Sequence, residues 1–232
     1  MNRIQLQELV RDRQAGMVDR RQFMIRATAA LGNAAAASTL LAACAPASLS
    51  GGDAPSPPPV VDASQPPPEP GLSVEGGLET GVVTYAGPGG QELMGYLAHV
   101  PDANPAPAVI VIQEWWGLNE HIKDVTRRFA EAGYVALAPD LYHGQVTTEP
   151  DEARKLVMEL GMGDAVAEIQ AAMTYLRQQP TTTEQVGIIG FCMGGGLVLQ
   201  TAVADNTVGA AVPFYGTPVS ESEAADISAP VL

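Results

Sequence analysis

The residues with the clearest chemical potential are Gly190-Phe191-Cys192-Met193-Gly194, in which a cysteine stands between two glycines. A short apolar stretch, residues 186–189, precedes them, and an apolar stretch typical of a helix, residues 197–199, follows. A nucleophile on a tight turn from strand to helix needs small residues two positions away on either side, because larger side chains would clash with the backbone. The spacing therefore predicts a nucleophile elbow with sulfur in place of oxygen. A buried, inert cysteine beside a structural turn is the alternative.

A second group, Gln113-Glu114-Trp115-Trp116-Gly117, follows a continuous apolar run at residues 108–112 that predicts a strand covered on both faces. In folds that contain a nucleophile elbow, the loop after an earlier strand of the sheet supplies one N–H of the oxyanion hole, and the residue after the nucleophile supplies the other. Trp115 and Met193 are therefore the predicted backbone donors. The Glu114 carboxylate is costly to enclose without a partner, and the thiol is one candidate for that partner. The alternative is an exposed acid that caps the loop.

The elements that must position these residues alternate between strands and helices. The sequence predicts an N-terminal hairpin and then strands separated by helical segments. Residues 149–179 are predicted to form one or two helices, with a break around Gly161 and Gly163. This order predicts an α/β fold with a mostly parallel, doubly wound sheet and helices on both faces. Chemistry in such sheets gathers at the carboxyl ends of the strands. The predicted strands lie at residues 82–85, 92–98, 108–112, 134–138, 186–189 and 208–214, and the first helix at residues 119–132.

Three blocks together resemble the dienelactone hydrolase family, cysteine-dependent members of the α/β-hydrolases. They are residues 113–119, residues 139–142 (Pro-Asp-Leu-Tyr) and residues 190–195, and the resemblance spans residues 79–232. It implies that Cys192 attacks an enol-lactone or ester carbonyl, giving an acyl-enzyme that water releases. It also implies that Glu114 holds the resting thiol and helps to form the thiolate when substrate binds. A permanent thiolate would be vulnerable to oxidation.

The order of catalytic triad residues that this fold uses is not found in this chain. That order is nucleophile, acid, histidine, whereas His99, His121 and His143 all precede Cys192. The last residues, 227–232, are typical of the start of another parallel strand. The sequence therefore predicts that the sheet is incomplete at the C-terminus, that the triad acid and histidine are absent from this chain, and that the fragment is inactive.

Other polar residues near the predicted strand ends are weaker candidates for a functional role. Tyr142 and His143 are possible substrate-pocket residues, and His143 is a minor candidate for the base. Asp140 matches a family position that braces the junction of strand and loop, while His99 and His121 are interpreted as structural or solvated. No metal-ligand spacing and no nucleotide-binding fingerprint is present, so no metal and no cofactor are predicted.

The N-terminus differs in composition from the rest of the chain. Residues 1–43 have six arginines against three acidic residues, a net charge of +3, whereas the remainder has a net charge of −17. Arg20-Arg21-Gln22-Phe23-Met24 resembles a twin-arginine export signal, and Leu41-Ala42-Ala43-Cys44 resembles a lipobox whose cysteine is lipidated. The predicted organisation is a lipoprotein signal at 1–44, a proline-rich disordered linker at 45–78 and the hydrolase domain at 79–232. An Ala-rich leader of no consequence is the alternative.

These observations predict an exported, lipid-anchored hydrolase on the periplasmic side or in the cell envelope. Its substrate is a small ester or lactone, its nucleophile is Cys192, and its membrane anchor is Cys44. The acidic body excludes nucleic acid as a partner. Two other functions stay open: a thiol redox sensor that acts through Cys192, and a non-catalytic α/β-hydrolase scaffold that binds a ligand or partner.

Overall fold

The computed structural model describes residues 69–101 and 104–232. The predicted signal at 1–44, with Cys44, and most of the predicted linker lie outside the described residues. Among those described, no helix combines the length and the apolarity needed to cross a membrane. The strands are β1 (Gly71–Glu75), β2 (Leu78–Ala86), β3 (Glu92–His99), β4 (Ala106–Ile112), β5 (Val135–Pro139), β6 (Thr182–Phe191) and β7 (Ala210–Phe214); the helices are α1 (Glu120–Glu131), α2 (Pro150–Glu159), α3 (Met162–Arg177), α4 (Met193–Ala204) and α5 (Glu221–Ala224).

The seven strands form one sheet in the order β1-β2-β3-β5-β4-β6-β7. Strands β5, β4, β6 and β7 pair in parallel, as the alternation of strands and helices predicts. Strands β1, β2 and β3 are antiparallel to one another, and β3 is antiparallel to β5. The predicted hairpin is therefore β2–β3, and it extends the sheet at one edge. The prediction of an α/β-hydrolase sheet is confirmed.

Strand β1 lies within the segment that the sequence assigns to a disordered linker. It pairs with β2 from Gly71 to Glu75, so the ordered domain includes residues well before Glu79. All five side chains of β1 are exposed. Backbone pairing alone holds β1 in the sheet, which explains why no pattern of buried residues marks it in the sequence.

The helices cover both faces of the sheet, as predicted. Helix α1 packs one face with Ile122 and Ala130, while α3 and α4 pack the other with residues such as Ile169 and Leu197. Asn119 caps α1 by accepting a hydrogen bond from the Ile122 N–H at 3.1 Å. The predicted break near Gly161 is also present, since α2 ends at Glu159 and α3 begins at Met162.

Parallel pairing brings four strand ends to one edge of the sheet. The segments that follow β4, β5, β6 and β7 begin at Gln113, Asp140, Cys192 and Tyr215 respectively. Beyond β7, Val231 forms a parallel bridge with Ala211, in agreement with the strand start predicted there. The residues with predicted chemistry are thus gathered by topology rather than by closeness in the chain.

Helix α4 reaches the end of β4 through a glycine. A Cβ on Gly194 would lie 2.5 Å from the Gln113 carbonyl oxygen and 2.7 Å from that of Ile112. We expect Gly194→Ala to lower the free energy of unfolding by about 1–3 kcal/mol, because helix and strand must separate. Urea unfolding followed by circular dichroism measures the change.

Gly163 is the matched control, because it is also helical but a Cβ there meets nothing within 4 Å. Gly163→Ala should raise the free energy of unfolding by up to about 1 kcal/mol through helix propensity. Equal effects of the two substitutions would contradict the close packing of α4 on β4.

Candidate active site

Cys192 occupies the sharp turn between β6 and α4. Its backbone has φ 56° and ψ −118°, a conformation that side-chain-bearing residues rarely adopt. The turn is close-packed, since a Cβ on Gly190 would collide with the backbone of Gly194. This is the geometry expected of a nucleophile elbow, and it explains the glycine at each side of the cysteine.

The elbow is held by backbone hydrogen bonds on both sides. The Cys192 N–H donates to the Phe214 carbonyl at 3.0 Å, which ties the turn to the end of β7. The Cys192 carbonyl accepts from the N–H groups of Gly195 at 3.0 Å and Gly196 at 3.3 Å, which begins α4. The cysteine is free and half-buried. Its partial exposure therefore does not fit the alternative interpretation, a buried, inert cysteine beside a structural turn.

Glu114 lies in the turn after β4, beside a buried anchor. Gln113 is fully buried, and its Oε1 accepts a hydrogen bond from the Leu141 N–H at 3.3 Å, which links the ends of β4 and β5. The half-buried Glu114 accepts a hydrogen bond at Oε1 from the Tyr215 hydroxyl at 2.9 Å. The sequence offered the Cys192 thiol as the partner of this carboxylate. In the structure that partner is Tyr215.

Trp115 and Met193, the predicted oxyanion donors, stand at adjacent strand ends. Trp115 is half-buried in the turn after β4, and its ring meets that of Trp116 edge-on at 4.8 Å. Met193 is the first residue of α4, where helix N–H groups have no partner within the helix. Neither backbone N–H donates to any residue that the structure describes. Both are thus available to an oxygen from outside the protein.

Tyr142 connects the loop after β5 with the elbow. Its ring is buried, and its hydroxyl donates to the Met193 sulfur at 3.4 Å. Burial raises the pKa of Tyr142 to about 12, with a further contribution from the nearby Cys192. The structure therefore brings Tyr142 to the nucleophile, although the hydroxyl is engaged with Met193.

His143 faces helix α3 instead. Its Nε2 lies 3.1 Å from the carboxylate of Glu168, and the two residues border a cavity of about 320 Å³ that Cys192 does not line. His99 pairs with Glu79 at 3.1 Å, and His121 is exposed on α1. None of the three histidines forms a hydrogen bond with Cys192, so the geometry brings no imidazole to the sulfur.

Asp140 braces the loop that carries Tyr142, as the sequence predicts. Its Oδ1 accepts from the Tyr142 N–H at 3.2 Å, and its Oδ2 accepts from the Gly144 N–H at 2.6 Å. Burial raises the pKa of the carboxyl group despite these hydrogen bonds, which act in the opposite direction.

Tyr215 is the residue of this site that sequence reasoning missed. Its backbone has φ 40°, and its hydroxyl reaches a glutamate 101 positions earlier in the chain. Partial desolvation, the hydrogen bond to Glu114 and the charges of Glu114 and Cys192 raise the pKa of Tyr215 to about 12, although most of the residue is exposed. A usable signal would have been its place directly after a strand parallel to the elbow strand.

Comparison with known proteins assigns the class of this fold and site. The sheet and the turn at Cys192 are those of an α/β-hydrolase. A profile of the dienelactone hydrolase family matches residues 93–232, and the chain belongs to that family.

Known relatives agree with this assignment. The chain is 38% identical over 151 residues to "Protein usf" of Aquifex pyrophilus, covering 61% of this chain and 64% of that protein. It is 33% identical to a carboxymethylenebutenolidase of Pseudomonas putida, covering 53% and 55%. A dienelactone hydrolase-like promiscuous phosphotriesterase from metagenomic libraries superposes with a TM-score of 0.60 at 30% identity, covering 67% of each chain. The chain thus spans less than two thirds of the length of these curated relatives.

The pKa of Asp140 predicts a pH dependence of stability. A raised pKa means that the folded state binds the proton more tightly than the unfolded chain. Its contribution to stability is therefore present below the ordinary pKa of an aspartate and is lost as the pH rises through the native pKa. Measured from about pH 3 to pH 7, the stability of the unmodified protein relative to Asp140→Asn should fall as the pH rises above the ordinary aspartate pKa of about 4. Urea unfolding across this range measures it; a difference that grows with pH would show that the two backbone hydrogen bonds outweigh burial.

Proposed function

We propose that the protein hydrolyses carboxylic esters or lactones through an acyl-enzyme on Cys192. The observation that carries the proposal is the strained backbone of Cys192 on the turn from β6 to α4. Membership of the dienelactone hydrolase family supports the same reaction class. The Pseudomonas putida relative, named a carboxymethylenebutenolidase, favours an enol-lactone as the substrate.

In the proposed reaction the sulfur of Cys192 attacks the substrate carbonyl carbon. A carbon–sulfur bond forms, and the carbonyl π electrons move to the oxygen. The backbone N–H groups of Met193 and Trp115 donate to this oxyanion, because they have no partner among the described residues. Collapse of the intermediate breaks the bond to the leaving oxygen, which takes up one proton, balancing the one that the thiol lost, and departs as an alcohol or enol.

Glu114 is the proposed acceptor of the thiol proton. It is the acid in the turn after β4, and its hydrogen bond with Tyr215, whose pKa Cys192 also helps to raise, supports this role. A proton transferred from sulfur to this carboxylate would leave the thiolate that attacks best.

Deacylation requires water to attack the thioester and a base to activate that water. The described histidines are engaged elsewhere or exposed, with His143 on Glu168 and His99 on Glu79. A triad acid and histidine outside these 232 residues, and the resulting inactivity of this chain in turnover, stay predictions. Acylation of Cys192 tests the first half-reaction without them.

We therefore expect covalent acylation when the 232-residue chain is incubated with an activated aryl ester or with a dienelactone. Mass spectrometry should find the acyl group on the peptide that contains Cys192. Cys192→Ala should abolish this adduct and lower any ester cleavage by a factor on the order of 10³ or more, because the nucleophile is lost.

Cys44→Ala is the matched control and should leave the Cys192 adduct unchanged. Sulfenic acid at Cys192 without acylation would favour the redox sensor, and an unmodified thiol would favour the non-catalytic scaffold. Either result would contradict the proposed reaction.

We also propose that the protein is exported and held in the cell envelope by a lipid on Cys44. The support is the order of the arginine pair, the Ala-rich stretch and the cysteine in the sequence. The lipid would hold the domain at the membrane surface, with an ester or lactone as its small-molecule partner.

Radiolabelled palmitate supplied to an expressing bacterium should label the protein, and the product should stay with carbonate-washed membranes. Cys44→Ser should remove the label and release the protein from the membranes, because one thioether-linked lipid provides the attachment. Arg20→Lys with Arg21→Lys should block export in a twin-arginine-competent host. Label retained by Cys44→Ser would refute this anchor.

A further inference from the structure

Tyr215 has a contact that the proposed reaction does not use. Its hydroxyl is the one hydrogen-bond partner of the Glu114 carboxylate among the described residues. Glu114 is also the proposed acceptor of the thiol proton. While the Tyr215 hydroxyl donates to the Glu114 carboxylate, that carboxylate is less available to accept the thiol proton.

The position of Tyr215 is fixed by the elbow itself. Phe214, the residue before it, accepts the hydrogen bond of the Cys192 N–H at 3.0 Å. Gly216, the residue after it, lies against α4 so closely that a Cβ on Gly195 would come within 2.9 Å of its nitrogen. Tyr215 itself is held at φ 40°, a left-handed conformation that costs free energy for a non-glycine residue.

Packing does not account for a tyrosine at this position. The residue is 69% exposed, and its ring centroid lies 6.5 Å from that of Phe191 in a tilted arrangement. The aromatic stack of the site is instead Phe191 on Phe214, at 5.2 Å. What remains specific to Tyr215 is its hydroxyl, directed to Oε1 of Glu114.

We propose that Tyr215 is a positioning residue that holds the Glu114 carboxylate and so controls its access to the Cys192 thiol. The inference rests on the proposed role of Cys192 as nucleophile. While the phenol donates to Oε1, the carboxylate has a partner other than the thiol. A substrate that displaces the phenol frees the carboxylate to accept the hydrogen bond of the resting S–H, and to take the proton only as sulfur attacks the carbonyl carbon.

The other titratable groups around the sulfur come from each neighbouring loop. Cys192 contributes to the raised pKa of Tyr142 after β5 and of Tyr215 after β7, and Glu114 after β4 joins this group through its hydrogen bond with Tyr215. The Tyr142 hydroxyl is occupied with the Met193 sulfur. Glu114 is thus the acid of this group, and the Tyr215 hydroxyl is its hydrogen-bond partner among the described residues.

The test is the pH dependence of alkylation of Cys192 by iodoacetamide in the full chain, followed on its own peptide by mass spectrometry. Tyr215→Phe removes one oxygen and leaves the ring. In this variant the phenol no longer occupies Glu114, so the carboxylate accepts a hydrogen bond from the Cys192 thiol. That hydrogen bond stabilises the neutral thiol relative to the thiolate. The midpoint of the profile should rise by about one pH unit, a tenfold lower thiolate fraction at neutral pH.

Two further variants separate positioning from a general structural effect. Glu114→Gln should lower the midpoint, because the like charge is gone, and Tyr215→Phe in that background should add no shift. Tyr134→Phe is the matched control, since Tyr134 is also exposed and lies just before β5, and this substitution should leave the profile unchanged. The proposal would be overturned if Tyr215→Phe left the midpoint of the profile unchanged, or if it shifted the midpoint equally with and without the Glu114 carboxylate.

Alkylation needs no turnover, so this experiment and the acylation experiment fail independently. A coupled shift without acylation by esters would refute the hydrolase function and retain the Tyr215–Glu114 arrangement. Acylation with an unshifted alkylation profile would refute the role of Tyr215 alone.

Discussion

The site depends on one constraint: a cysteine must occupy a left-handed backbone conformation at the junction of a strand and a helix. Such a conformation costs on the order of 1–3 kcal/mol and persists only where the surroundings over-determine it. Cys192 has φ 56°, and its N–H and carbonyl are both engaged, with Phe214 on one side and Gly195 and Gly196 on the other. The surrounding glycines allow the backbones to approach, because a Cβ at Gly190 or Gly194 would meet main-chain atoms.

The neighbouring strand ends follow from this turn. Helix α4 starts directly at the elbow, so its first residue, Met193, presents beside the cysteine an N–H that has no partner among the described residues. The same helix start meets the end of β4 through Gly194 and the loop after β7 through Gly195. Glu114 and Tyr215 are thereby brought to one place, although they are 101 residues apart. Packing of main chain on main chain, more than burial of side chains, positions the polar groups.

Sequence reasoning was most successful where the signal is local. Asn119 and Gly133 mark the two ends of α1, and Gly161 marks the gap between α2 and α3; each is a backbone effect that one residue determines. The glycines around Cys192 likewise encode the turn itself. The convergence of the segments after β4, β5 and β6 follows from parallel pairing.

The sequence was less informative where tertiary contacts decide. Strand β1 has five exposed side chains and no buried alternation, so composition assigned it to the linker. The side chain of His143 is turned to α3 by Glu168, a partner 25 positions away, and nothing near residue 143 indicates this. The partner of Glu114 is Tyr215, whose place directly after β7 indicates that it lies at the strand ends but not which side chain it contacts.

A crystal structure of the protein acylated on Cys192 by a slowly hydrolysed ester is the most direct test of the account. We predict φ near +56° at residue 192. We also predict that the acyl oxygen lies about 3 Å from the backbone nitrogens of Met193 and Trp115. A cysteine with negative φ, or an acyl oxygen that faces solvent away from both nitrogens, would contradict the assignment of this turn as a nucleophile elbow.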